Sequence, residues 1–265
     1  MPDNTQRFTG RAEDYDRYRQ RYPVEEVLTR LRAWCGLTPE WLVADVGAGT
    51  GMVAEIFLAN ANHVIAIEPN PDMLAQMRST FEPPHPNAAQ LQILDATAEA
   101  TTLPDASVDL VAVGRAFHWF DKERALAEFR RILKPAGWMT LIAVDRDRES
   151  TDPDFKDQTE AFEHLLSELG TDYTRVRSGY RTYDRMDTFL DGEIHQQQIH
   201  GTRQLDWAAF RGHVMSLSVS PQPGHPNAEA FAYELRRHFD TFARNAIVTI
   251  PTICWITAGR FAATS

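Results

Sequence analysis

The feature that most constrains this fold is an alternation of short apolar runs and amphipathic stretches between Trp41 and Asp145. WLVADVG (41–47) reads as a buried strand, and after a glycine-rich turn Met52, Val53, Ile56 and Phe57 fall on one helical face. HVIAIE (63–68) reads as a second strand. Asn70-Pro71 then supplies an N-cap and a proline at the first helical position, with Met73, Leu74 and Met77 facing inward. LQILD (91–95) and VDLVAVG (108–114) read as the third and fourth strands. Asp121 caps a helix carrying Leu126, Phe129, Ile132 and Leu133, which should stop at Lys134-Pro135-Ala136-Gly137 before a fifth strand, WMTLIAV (138–144). Strands alternating with helices at this spacing mean βαβ units and a parallel sheet covered on both faces.

Beyond Asp145 the rhythm changes. Phe155, Phe162, Leu165, Leu166 and Leu169 mark a helix, GEIHQQQI (193–200) a strand, and Trp207, Phe210 and Val214 another helix. A Pro/Gly-rich loop, SPQPGHPN (220–227), precedes a stripe of Phe231, Leu235, Phe239 and Phe242. The last strand, AIVTIPTICWI (246–256), is interrupted by Pro251, which implies an edge position or a bulge.

Charge and cysteine content narrow the function classes. Lys and Arg number 27 against 37 Asp and Glu, a net charge of −10. Affinity for phosphate backbones comes from clustered cations, and the densest basic stretch, Arg11 to Arg21, is interleaved with Glu13, Asp14 and Asp16. No nucleic-acid partner is expected. Cys35 and Cys254 cannot build a disulfide framework or a four-ligand zinc site, and are read as buried thiols in a reducing compartment. The first residues, MPDNTQRFTGRAEDY, hold no apolar signal-peptide core, and no run approaches the ~18 apolar residues of a membrane helix. The expectation is a cytoplasmic protein without membrane contact, a monomer or homodimer.

The turn after the first strand is Asp45-Val46-Gly47-Ala48-Gly49-Thr50-Gly51. Its G-x-G-x-G spacing differs from the dinucleotide fingerprint G-x-G-x-x-G, because Met52 stands where the last glycine would be. Glycines here let the backbone approach a ligand between a strand end and a helix N-terminus. Glu68 ends the second strand, where a carboxylate can accept both hydroxyls of a ribose, and Asp95 ends the third, where one can accept an exocyclic adenine amine. Ligands of open α/β sheets bind at these carboxyl ends.

Together these residues resemble the class I S-adenosylmethionine-dependent methyltransferases, most closely the small-molecule (type 11) branch. VADVGAGTG is similar to the first motif of that family, Glu68 to its second, DATAEATTLPDASVDLV to the third and fourth, and RILKPAGWMTLI to the last. Phe8…Tyr15…Tyr18-Arg19…Tyr22-Pro23 resembles the N-terminal signature of a narrower subgroup, with Gln20 in place of the usual proline. MSLSVSPQPGHP (215–226) resembles its serine-containing cap segment, with Val219 where tyrosine is common.

The resemblance implies an α/β, Rossmann-like fold: a mostly parallel seven-stranded sheet with helices on both faces. It implies an N-terminal helical lid (1–35), a cofactor-binding core (36–145), and cap helices after strand five with the last strands of the sheet (146–265). S-adenosylmethionine would be the cofactor and S-adenosylhomocysteine its product. Asp45, Gly47, Gly49, Thr50 and Gly51 would surround its methionine part, Glu68 and Pro69 the ribose, and Asp95 and Ala96 the adenine. Ala116 and Phe117 would line the same site, with Tyr18 and Arg19 holding the cofactor from above; the planar fork of an arginine suits a carboxylate.

The loop Arg115-Ala116-Phe117-His118-Trp119-Phe120 follows the fourth strand and should lie beside the transferred methyl. His118 is the candidate catalytic residue, either a base or an orienting group. Tyr15, His118, Trp119, Ser216 and Ser218 are candidate contacts to a small organic acceptor. No metal site is expected. A nicotinamide-dependent oxidoreductase would share Glu68 but lacks its sixth-position glycine and any Tyr-x-x-x-Lys pair. A non-catalytic S-adenosylmethionine-binding regulatory module is the other alternative.

Overall fold

In a computed structural model, which describes residues 12–180 and 189–262, the apolar runs form one seven-stranded sheet in the order β3-β2-β1-β4-β5-β7-β6. The strands β1 (Leu42–Val46), β2 (His63–Ile67), β3 (Leu91–Leu94), β4 (Val108–Val113) and β5 (Leu133–Arg146) pair in parallel. The strands β6 (Ile194–Leu205) and β7 (Val248–Gly259) join antiparallel, β7 lying between β5 and β6. Phe8, part of the N-terminal signature, lies outside the described residues.

Alternation along each strand feeds two cores. Val43, Val64, Leu110 and Ile142 face α2 (Val24–Cys35), α3 (Met52–Ala59) and α4 (Pro71–Phe81). Their neighbours Ala44, Ile65, Val111 and Leu141 face α5 (Lys122–Ile132) through Leu126, Phe129 and Ile132. Each fully buried side chain of this size contributes about 1.5–3 kcal/mol. The caps act as expected: Asn70 accepts from the Asp72 and Met73 amides, and Asp121 from the Arg124 amide.

A third core forms where the chain leaves this sandwich. Here α6 (Pro153–Leu169), α7 (Tyr173–Tyr180), α8 (Trp207–Met215) and α9 (Ala228–Phe242) bury Phe162, Leu166, Phe210, Phe231 and Leu235 together with Leu205, Val248 and Ile250. The β6–β7 ribbon supplies those last three residues because it overhangs. The final β5–β7 rung is Arg146↔Thr252, whereas β6 and β7 stay paired down to Leu205↔Val248.

Three expectations need correction. Pro251 lies on an interior strand, not an edge. Its carbonyl accepts from the Asp147 amide, so its missing donor faces the side where β5 has already ended. Leu133 opens β5 rather than closing the helix, and the register slips between Val108↔Leu133 and Leu110↔Trp138, leaving Lys134 to Gly137 as a bulge. Lastly, α2 is not part of a detachable lid, because Val27, Leu28 and Leu31 are buried in the first core. Only α1 (Ala12–Tyr18) and the residues up to Pro23 lie over the strand ends, tied by Thr50 Oγ1 to Asp16 at 3.3 Å and by Arg21 to Asp16 and Glu55.

Candidate active site

The glycine turn sits between the end of β1 and the start of α3. The amides of Gly47 and Ala48 both donate to the Ile67 carbonyl at 2.8 and 3.0 Å, so the turn is stitched to β2. Gly47 has φ +69°, and a Cβ there would stand 2.6 Å from the Ala116 Cβ and 2.9 Å from the Phe120 ring. Gly49, at φ +59°, faces open space. The turn is therefore a cradle that a side chain at position 47 would fill.

Glu68 closes one side of the cradle. Its carboxylate accepts from the Gly49 amide at 2.9 Å and from the Asn70 amide at 2.8 Å, joining the turn to the N-terminus of α4. A carboxylate offers about four acceptor positions, so two remain for vicinal hydroxyls. Burial raises its pKa above the ordinary value, opposed by those two amides. Asp45 lies deeper: it is fully buried, neither oxygen has a hydrogen-bond partner in the structure, and burial pushes its pKa up to about 8. The open glycine cradle beside the Glu68 carboxylate suits a ligand that brings hydroxyl donors against backbone.

The glycine turn and Glu68 open into a cleft of about 1110 Å³, mouth included, whereas Asp45 is buried off its wall. Of the expected residues it is lined by Tyr15, Arg19, Gly47, Gly49, Glu68, Pro69, Ala116, His118, Trp119 and Ser218. The ring of His118 lies 4.3 Å from that of Trp119 in the 3-10 turn that follows β4. Tyr15 is sandwiched by cations, with the guanidiniums of Arg19 and Arg115 at 4.7 and 5.7 Å from its ring. Burial raises the Tyr15 phenol, but the two arginines outweigh it and hold the pKa below the ordinary value.

The structure takes other expected residues away from the cleft. Ser216 is wholly buried and its Oγ donates to the His213 carbonyl at 2.6 Å, ending α8. Phe117 is buried in the second core against Phe120 and Phe189. The Tyr18 ring packs on Gly212 of α8, where a Cβ would lie 2.4 Å from it. Thr50 and Gly51 serve the helix start: Thr50 bonds Asp16, and Gly51, at φ +92°, leaves room for the Phe81 ring. Asp95 is exposed and Ala96 buried, and the cleft is lined instead by Thr97, Ala98 and Glu99.

Sequence reasoning gave no site role to Met52, Asn70, Met73 and Gly114, and named Tyr22 and Arg115 only as members of a signature and a loop; all six are on the cleft wall. The strand-end rule could have found Arg115, which follows β4 directly and donates to the Val144 carbonyl at 3.2 Å.

Residues 44–141, the strands and turns that carry this cleft, match the methyltransferase domain family. Over these residues the chain is similar to the class I S-adenosylmethionine-dependent methyltransferases. It is 35 % identical to an uncharacterized methyltransferase of Mycobacterium tuberculosis over 133 residues, half of each chain. An uncharacterized methyltransferase-like protein of Schizosaccharomyces pombe is 34 % identical over 147 residues, 53 % of this chain and 52 % of that one. These matches thus span about half the length of the curated relatives. A solved structure from Anaeromyxobacter dehalogenans, named as a candidate type II methyltransferase, shares the fold. It superposes with a TM-score of 0.63 at 24 % identity, covering 92 % of this chain and 98 % of that one. Among the described residues no cluster of His, Cys, Asp and Glu could hold a metal ion, and no helix is long and apolar enough to cross a membrane.

Proposed function

We propose that this chain transfers the methyl group of S-adenosylmethionine to a small organic acceptor. The observation that carries the reading is convergence: the open glycine cradle, the Glu68 carboxylate and the His118–Trp119 turn meet in one cleft at the carboxyl ends of β1, β2 and β4. When bound, the cofactor supplies a methyl on a sulfonium, which leaves a neutral thioether once the C–S bond breaks and the bond to the acceptor forms.

The residues of the chain bind, orient and exclude water. Glu68 accepts two hydroxyls with its remaining lone pairs, and the glycine cradle lets the cofactor sit against backbone. Trp119 and Phe120 offer aromatic faces to the sulfonium, worth roughly 0.5–2 kcal/mol. Alignment of donor and acceptor in a dry cleft supplies ~7–11 kcal/mol of the barrier. His118 faces the acceptor and either takes its proton or orients it; a carboxylate acceptor has no proton to lose. Residues 12–23 act as a lid and α7 to α9 as a cap over the acceptor, with Ser218 the hydroxyl on that side.

Calorimetry with S-adenosylhomocysteine tests the cofactor, and transfer of a labelled methyl to pooled metabolites tests the reaction. Heat with a saturable isotherm and labelled product are expected. No heat would sink the reading as a whole, and heat without any labelled product would leave the regulatory module as the better account.

A further inference from the structure

Beside the main cleft lies a smaller cavity of about 350 Å³, mouth included, walled by Arg19, Arg148, Arg177, Asp145, Tyr173 and Ser218 among other residues. Arg19 and Ser218 line both spaces, so the two adjoin. Three guanidiniums thus face one carboxylate in a chain whose net charge is −10.

The local ion pairs compensate two of these guanidiniums and leave one over. Arg148 pairs with Asp145 at 3.1 Å and with Glu163 at 3.4 Å, and Arg177 pairs with the same Glu163. Tyr173 also donates to Glu163. Arg19 is different: it is 6 % exposed, its Nε makes no hydrogen bond, and it forms no ion pair among the described residues, meeting only the Tyr15 phenol and the more distant field of Asp145. Nearby, Arg146 bonds the Gln158 side chain within the field of Asp145 and Glu163, and Arg203 bonds the Tyr18 carbonyl, so both add positive charge without an ion pair among the described residues. A buried cation without a counter-ion is costly unless an anion arrives to meet it. A concave site of one sign also concentrates ligands of the other.

We propose that this side cavity is an anion subsite for the acceptor: it holds a carboxylate that the acceptor carries besides the group to be methylated, among Arg19, Arg148 and Arg177. The inference rests on the methyl-transfer reading for the word acceptor, and on the cavity alone for the anion. It makes the substrate a small organic acid with a second polar end, and it excludes acceptors whose far end is neutral. The guanidinium fork suits a carboxylate, which can take two parallel hydrogen bonds. Cofactor and acceptor then occupy adjoining spaces with Arg19 and Ser218 on the boundary.

The test uses glutarate as a dianionic probe and glutaramide as its neutral isostere, titrated into the full chain in the presence and absence of S-adenosylhomocysteine. Tryptophan fluorescence and calorimetry are read together. Wild type should saturate with glutarate and ignore glutaramide. Arg177→Gln, on an exposed side chain that leaves the fold intact, should weaken glutarate at least tenfold while leaving affinity for S-adenosylhomocysteine within twofold. Arg148→Gln should do the same, with its melt recorded alongside. Glutarate that fails to saturate wild type by about 10 mM, an affinity worth under about 3 kcal/mol, overturns the subsite. So does equal binding of glutaramide, or glutarate binding untouched by both variants. If S-adenosylhomocysteine gives no heat while glutarate behaves as expected, the cofactor reading fails and the anion site stands.

Discussion

One wall of the cleft, running from Gly47 through Glu68 to Glu99, is backbone turn and carboxylate; the facing wall, from Arg19 to Arg115 and Ser218, is guanidinium, phenol and hydroxyl. The first wall is assembled by local rules. Gly47 and Glu68 follow the ends of β1 and β2 directly and Glu99 lies in the turn after β3, so the parallel sheet sets the spacing. The second wall is assembled from the N-terminal helix, the loop after β4 and the segment beyond α8, and its side cavity adds Arg148 and Arg177 from elsewhere again. The electrostatics divide the same way. Burial raises Asp45 and Glu68 on one side, whereas Asp145, also raised by burial, is pulled below its ordinary value by Arg148, Arg19 and Arg115 on the other. A wall fixed by strand geometry has little freedom to change, and a wall collected from loops and inserted helices can vary.

Five experiments would break or sharpen that contrast. The largest effect is expected for Gly47→Ala: at φ +69°, with Ala116 and Phe120 in the way, it should cost about 2–4 kcal/mol in urea unfolding and abolish cofactor binding. Unchanged stability would mean that the turn is less constrained than its geometry says. Next comes His118. His118→Ala should lower turnover by ~10²-fold with cofactor affinity retained, and His118→Gln separates the roles, since glutamine orients but takes no proton. A glutamine variant that keeps most of the turnover makes His118 an orienting group. Turnover of the alanine variant equal to wild type would move the acceptor away from this loop.

Glu68→Ala should weaken S-adenosylhomocysteine by ~1–3 kcal/mol, because the hydroxyls it meets lose their acceptor. An unchanged isotherm removes Glu68 from the site.

The fourth experiment uses pH, for which the two sides carry opposite signs. Burial lowers His213 and His238, both in the third core or against it, to about 3. Their contribution is present above the unfolded value of about 6.5 and is lost as pH falls toward 3. Asp45, raised to about 8, does the reverse: its contribution is full below the unfolded carboxyl value and is lost as pH rises through 8. Protection factors in α8 and α9, corrected for the intrinsic exchange rate, should fall by up to about tenfold per pH unit for each histidine between pH 6 and 4, ahead of those in β1 to β4. Simultaneous loss of protection in both regions would show that they unfold as one unit.

The smallest effect belongs to Asp95→Asn. Asp95 is exposed and off the cleft wall, so cofactor affinity should fall by about 1 kcal/mol or less. A larger loss would put the adenine against Asp95 after all.

These same features explain what could be read in the chain beforehand. Gly47, Glu68 and His118 were legible because each stands where a buried run ends, and the period of the run locates its end. Asp95 obeyed the same pattern, yet its side chain turns to solvent, since strand position fixes where Cα lies and not what the side chain meets. Ser216 looked like a ligand group in a serine-rich segment; the end of α8 needed that hydroxyl for a local bond. Arg148 and Arg177 carried no local mark. Their meeting with Arg19 depends on a contact between segments more than a hundred residues apart, which no periodicity encodes. Pro251 was misjudged for a related reason, because an overhanging ribbon lets an interior strand behave like an edge for a few residues.

That overhang has an evolutionary corollary. Leu205 and Val248 are paired neighbours, so everything between them, α8 and α9 and the Ser218 segment included, is a loop whose two ends already touch. Exchanging such a loop rewires no strand and moves no hydrogen bond of the parallel half, and the extra closure entropy of a longer replacement grows only with the logarithm of its length. The part of the cap that carries Ser218 can therefore be replaced as a cassette, by recombination or by design, on a sheet that keeps its strand order unchanged.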